Sequence, residues 1–132
     1  MSTKSRLISA LSVFLIVALP VWAASMPSNT KLGETAKGKV FTDQHGMTLY
    51  TYKKDVAGSG KSACYDKCAK AWPPLMASGG VTAEGGWSEI SREGGGKQLA
   101  YHGKPLYTFV KDKKPGDIGG DDFKHAWNLA QP

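Results

Sequence analysis

The sequence predicts a mainly β protein with short helices: two β-hairpin-plus-helix repeats packed with pseudo-two-fold symmetry as one small domain. Three observations lead there. A length of 132 residues allows one domain, not two, and excludes a large multi-domain enzyme or a doubly wound cofactor fold. Beyond Ala23, only 12 of the chain's 21 Val, Ile and Leu residues remain, beside 11 aromatics and all 16 glycines. That composition disfavours a helical bundle and suits short aromatic strands joined by turns. Finally, the chain repeats itself. Gly46-Met47-Thr48-Leu49-Tyr50-Thr51-Tyr52-Lys53-Lys54-Asp55 lies over Gly103-Lys104-Pro105-Leu106-Tyr107-Thr108-Phe109-Val110-Lys111-Asp112 at an offset of 57, with a histidine, His45 or His102, before each first glycine. Ala71-Trp72-Pro73 then recurs as Ala126-Trp127-Asn128 at an offset of 55. Order-preserving matches of this kind mark a repeated supersecondary unit.

Residues 1–23 read as a secretory signal peptide. Lys4 and Arg6 precede an apolar run from Leu7 to Trp22, and Val21-Trp22-Ala23 suits a cut after Ala23. The run is short of the roughly 20 residues a membrane span needs, and Pro20 lies near its end. No cysteine precedes Cys64, so anchoring through an N-terminal lipid-bearing cysteine is not expected, and no later stretch is apolar enough to cross a bilayer. The expected product is soluble and periplasmic or secreted. Residues 24–37 are polar and expected to be a flexible segment, leaving 38–132 as the domain, with repeats at about 38–78 and 87–132.

Within each repeat a hairpin is expected. Lys39-Val40-Phe41-Thr42 and Lys97-Gln98-Leu99-Ala100-Tyr101 form the first strands. Asp43-Gln44-His45-Gly46 and His102-Gly103 turn the chain. Met47 to Lys53 and Pro105 to Lys111 return it, and Trp87-Ser88-Glu89-Ile90 adds a further strand. Short helices follow over Ala63 to Ala71 and Asp121 to Trp127, with Ser62 and Asp121 as candidate N-caps. On the return strands, residues two apart share a face, so Tyr50 pairs with Tyr52 and Tyr107 with Phe109. These aromatics can fill a core short of aliphatics. Asp55 and Asp112, three residues on, can fix the loop by accepting backbone N–H groups. The other reading of the same six residues is an exposed aromatic and acidic face that binds a ligand.

The spacing Tyr50-x-Tyr52-x-x-Asp55, repeated as Tyr107-x-Phe109-x-x-Asp112, resembles the secreted-repeat family of predicted lipoproteins with a Y-x-(F/W/Y)-x-x-D motif. Gly103-Lys104-Pro105-Leu106-Tyr107 and Cys68-Ala69-Lys70-Ala71-Trp72-Pro73-Pro74-Leu75 are also similar to it. The resemblance spans Lys39 to Trp127. It implies an extracytoplasmic protein of uncharacterised function and supplies no catalytic residues. This chain departs from it in lacking the lipid-bearing cysteine.

Cys64 and Cys68 are the only cysteines. In an exported protein such a pair is expected to be oxidised, and at i, i+4 the two can share one helix face. A disulfide would pin the helix rather than staple the fold. The spacing is not the C-x-x-C-H of a c-type haem site. The alternative is copper or redox handling, with the cysteines as soft ligands and His45, Met47 and His102 as weak further candidates, joined by Met76 and His125. Asp112, Asp117, Asp121 and Asp122 offer hard oxygen ligands for calcium, opposed by Lys111, Lys113 and Lys114. No G-x-S-x-G, Walker loop or H-E-x-x-H occurs. The expectation is therefore a non-enzymatic binding or envelope-associated module without a cofactor. From Ala24 onward 15 Lys and Arg face 11 Asp and Glu, a net charge of +4. That mild excess suits a cell-envelope component or another anionic partner. Nucleic acid is not expected outside the cytoplasm.

Overall fold

A computed structural model describes residues 9–16, 26–79 and 85–132. Apart from residues 9–16, which are exposed and form no helix or strand, the expected signal segment and its cut after Ala23 lie outside the described residues.

The fold is mainly β, built of antiparallel pairs. Strand β1 (Thr30–Thr35) pairs with β2 (Gly38–Asp43), with Leu32 opposite Phe41. Strand β4 (Trp87–Ser91) pairs with β5 (Lys97–Tyr101), with Trp87 opposite Tyr101, and β5 pairs in turn with β6 (Lys104–Pro105). An offset of 57 superposes Thr30 on Trp87, so β1 and β4 are equivalent elements. The stretch expected to be flexible therefore contains a paired strand. Its polar residues suit an edge, where Leu32 packs on the core, as Met26 does just before the strand, and Thr30 is tied by its Oγ1 to the Pro27 carbonyl at 2.7 Å. The first repeat accordingly begins earlier than residue 38.

The expected hairpins form only at their turns. His102 and Gly103 both have positive φ, at 48° and 75°, as a two-residue turn of the favoured twist requires. A Cβ on Gly103 would also lie 2.5 Å from the Gly58 nitrogen, so glycine is demanded there twice over. In the first repeat Asp43 Oδ1 accepts the His45 and Met47 N–H groups at 2.9 and 3.0 Å. Beyond one bridge, Thr42 to Thr48, the return strand leaves its own hairpin.

It leaves to join the other repeat. Strand β3 (Tyr50–Tyr52) pairs with β7 (Trp127–Leu129), placing Tyr50 opposite Leu129 and Tyr52 opposite Trp127. The counterpart Tyr107 bridges Pro74 of the first repeat. Val110 N–H donates to the Ala71 carbonyl as Lys53 N–H donates to that of Ala126, at 3.0 and 2.8 Å. At the centre, Tyr50 and Tyr107 exchange both backbone hydrogen bonds, at 2.8 and 3.0 Å. Equivalent residues that bond each other reciprocally must straddle the pseudo-two-fold axis.

Alternation along the exchanged strands then divides the interior into two layers. Leu49 and Leu106 point into a cluster with Phe41, Leu99, Trp87 and Ala130. Tyr50 and Tyr107 point into a second, with Trp72, Trp127, Phe109 and Cys64. Both clusters contain residues of both repeats.

Helical content is smaller than expected. Helix α1 covers only Lys67–Ala71 and lacks a side-chain cap, and the second repeat has only a 3₁₀ turn, Phe123–His125. Neither proposed N-cap acts as one. Ser62 Oγ lies 2.7 Å from the Tyr107 hydroxyl, and Asp121 pairs with Lys37 at 2.5 Å. The Asp66 and Asp122 that precede these elements have positive φ, unlike the extended backbone of a capping residue.

Candidate functional site: an aromatic groove on the pseudo-two-fold axis

The repeated motif residues meet across the repeats. The Tyr50 hydroxyl donates to Asp112 Oδ2 at 2.5 Å, and the Tyr107 hydroxyl donates to Asp55 Oδ2 at 2.6 Å. The other oxygen of each carboxylate closes its own loop: Asp55 Oδ1 accepts the Ala63 N–H at 2.6 Å, and Asp112 Oδ1 accepts that of Gly119 at 2.9 Å. Each aspartate thus holds a loop of its own repeat against the tyrosine of the other. Burial raises the pKa of both phenols, and the carboxylate acceptor raises it further, so both stay protonated well above the ordinary tyrosine range. Tyr50 and Tyr107 are fully buried and Asp112 nearly so. These three pack inside the fold, where they hold the loops and strands together.

The remaining motif aromatics, Tyr52 and Phe109, take part in a different arrangement. Trp72 and Trp127 stack face to face across the axis, with centroids 3.8 Å apart and planes 6° from parallel. Phe109 stacks on Trp72 at 4.0 Å, and Tyr52 on Trp127 at 4.3 Å. The result is a continuous four-ring ladder, Tyr52-Trp127-Trp72-Phe109, in which the repeats alternate. Gly120 makes room for it, since a Cβ there would come within 2.7 Å of the Trp72 ring.

The ladder lines the floor of an open groove of about 590 Å³. Ala71 and Ala126, also equivalent, line it too, as do Cys68 and Phe123. Lys54, Lys67, Lys111 and Lys124 line it as well, and among the described residues no Asp or Glu does. Lys54 and Lys111 are related by the repeat offset. The ammonium groups of Lys111 and Lys124 lie 6.0 and 5.7 Å from the Phe123 ring centre, within reach of its π face.

The metal-candidate residues are scattered. Cys64 and Cys68 are joined as a disulfide, and neither sulfur is a free thiolate. His45 is exposed beside Gln44, whereas His102 packs on Tyr101 with ring centres 4.2 Å apart. Met47 serves its turn through its backbone, and Met76 is partly exposed beside Gln98. His125 lies against Asp122 at 3.1 Å. Asp117 accepts the Lys113 and Lys114 N–H groups, which lower its pKa, and Asp121 holds Lys37. Among the described residues no three His, Cys, Asp or Glu side chains are placed to share a metal.

Sequence reasoning placed the motif aromatics and the tryptophans, but not the lysine-lined groove. The available signal was Lys54 and Lys111, each just before the repeated aspartate.

A family model described as a secreted repeat of unknown function matches residues 31–76 and 88–131. The chain belongs to that family. Each matched copy of the secreted repeat begins within the outer strand, β1 or β4, and ends near the terminal segment that enters the other copy. No curated protein and no solved structure matches the chain. No helix among the described residues of this secreted repeat protein is long and apolar enough to cross a membrane.

Proposed function

We propose that this chain is an exported, non-enzymatic binding module that works in the periplasm or beyond, free of a lipid anchor, and that the groove over the four-ring ladder is its ligand site. The observation that carries this reading is the ladder's position. Four aromatic rings stacked on the axis fill the core, and they also line a groove whose volume falls within the range of about 300–1,000 Å³ common to small-molecule sites. Such sites are mostly apolar, with a few charged groups at their margin, as here. Association with an envelope component is the physiological setting that fits an exported chain with a mild positive excess.

A fragment library titrated into the ¹⁵N-labelled protein tests the site. The expected hits shift the amides of Ala71 and Ala126 and the indole N–H groups of Trp72 and Trp127 together. Hits that avoid these groups, or an absence of hits, would remove the groove as a binding site. Mass spectrometry of the exported protein tests the compartment, with Ala24 as the expected N-terminus and no lipid attached.

A further inference from the structure

We infer that the groove takes an amphiphilic anion: a molecule with an apolar, ring-bearing body and a carboxylate, phosphate or sulfonate group. This rests on the groove being the ligand site and names the class of ligand. Three observations lead to it.

Charge is the first. The chain from Ala24 onward has a surplus of four positive charges, and four lysines line this groove with no carboxylate among its described lining residues. Outside the groove, acidic and basic residues therefore balance. A neutral ligand would leave that concentration of charge without a purpose and would bring no counter-charge to it.

The floor is the second. Trp72, Trp127 and Phe109 offer aromatic surface whose polar atoms are limited to the two indole N–H groups. A bare inorganic anion would meet only flexible lysines at the margin. Exposed ion pairs of that kind contribute about 0.2–1 kcal/mol each. An apolar body on the floor supplies what the lysines lack, at about 25 cal/mol per Å² of apolar surface covered. The aliphatic stems of the lining lysines can add apolar surface to the groove.

Shape is the third. Three of the four ladder rings are recessed: Trp72 and Trp127 are each 4% exposed and Phe109 5%, while Tyr52 is half-buried. Membrane-seated proteins project their aromatic side chains into the interface. Recessed rings instead suit a molecule that enters the groove. Lys54 and Lys111 are equivalents, so each repeat contributes a lysine to the lining that can hold a head group.

The full chain titrated with the aromatic sulfonate 8-anilinonaphthalene-1-sulfonate tests this. One probe should bind per chain, with amide shifts at Ala71 and Ala126, and binding should weaken as salt rises. The double variant Lys54→Gln/Lys111→Gln, with unchanged circular dichroism, should bind three- to tenfold more weakly. The uncharged N-phenyl-1-naphthylamine should bind at least tenfold more weakly than the sulfonate, and inorganic phosphate at millimolar concentration should not displace it. Equal affinity for the uncharged probe, or full affinity in the double variant, would overturn the anionic class while leaving the groove as a site. Displacement by phosphate alone would overturn the need for an apolar body. Lysine-dependent binding to phosphatidylglycerol vesicles, with no sulfonate bound in the groove, would replace the small amphiphile with a membrane surface. If no probe of either charge shifts the groove amides, the binding-site reading itself falls.

Discussion

The two repeats reach the same tryptophan by different routes. In the first, helix α1 leads into Trp72 and is tied by the Cys64–Cys68 disulfide. In the second, Trp127 follows a 3₁₀ turn in which Lys124 and His125 have positive φ, and no covalent bond holds it. Cys68 and Phe123 each precede their tryptophan by four residues, and both flank the groove. A half-cystine in one repeat thus stands where a phenyl ring stands in the other. The phenyl tilts against Phe109 at 5.1 Å and meets Trp72 edge-on at 5.6 Å. What the fold holds constant is the axial tryptophan and the strand after it. The segment before them need only deliver the ring, by a covalent tie or by packing.

The strongest way to break the symmetry is to separate the repeats. Cutting the chain between Gly79 and Gly85 should leave two fragments without a cooperative unfolding transition, because each lacks the strand the other supplies. Mixing them should restore the transition, followed by near-ultraviolet circular dichroism. A fragment that unfolds cooperatively alone, as a monomer, would contradict the exchanged pairing.

Next in size are the axial rings. Trp72→Ala and Trp127→Ala should each destabilise the whole domain by about 3–5 kcal/mol in urea titrations, as expected for large aromatics removed from a core. The losses should be similar despite the different lead-ins. A much smaller loss for one would show that its repeat tolerates the cavity.

Alkali probes the tyrosine–aspartate pairs. Both phenol pKa values are raised in the folded state. The unfolded chain therefore releases these protons first as pH passes about 10, whereas the folded chain keeps them. Stability is fully present below that pH and falls above it, by up to about 1.4 kcal/mol per pH unit for each tyrosine. Tyr50→Phe and Tyr107→Phe should each remove one share of that slope. An unchanged slope in both variants would assign it to other groups.

The smallest effects distinguish the two lead-ins. Reducing the disulfide should cost no more than about 2 kcal/mol, since the loop it closes is short. Phe123→Ala should cost about 1–2 kcal/mol for a half-buried ring. Amide exchange should rise around Lys67–Ala71 in the first case and around Phe123–His125 in the second. Exchange that rises equally in both segments would mean that the lead-ins are not independent.

The sequence made the duplication legible because Tyr50 and Tyr107, or Trp72 and Trp127, carry the same side chains at matched spacing. Aspartates closing the loops were legible for the same reason: the Asp55 and Asp112 contacts to Ala63 and Gly119 are local. Strand exchange was not legible. Alternation shows which face of Met47 to Lys53 is apolar, but pairing with its own hairpin and pairing with the other repeat demand the same alternation. Strand β1 was missed because Thr-Lys-Leu-Gly-Glu-Thr offers one apolar residue, and its order comes from the ladder with β2. The groove escaped notice because Lys67 and Lys124 join it through the fold, and neither lies in the matched segments.

The reciprocal bonds of Tyr50 and Tyr107 have a consequence for mass action. A single repeat with these strands has its partner strand only in a second copy, so its folding would be a second-order event that fails on dilution. Joining the two in one chain replaces that encounter with an internal one, whose probability no longer depends on protein concentration. Covalent linkage of the repeats thereby keeps the groove assembled at any dilution.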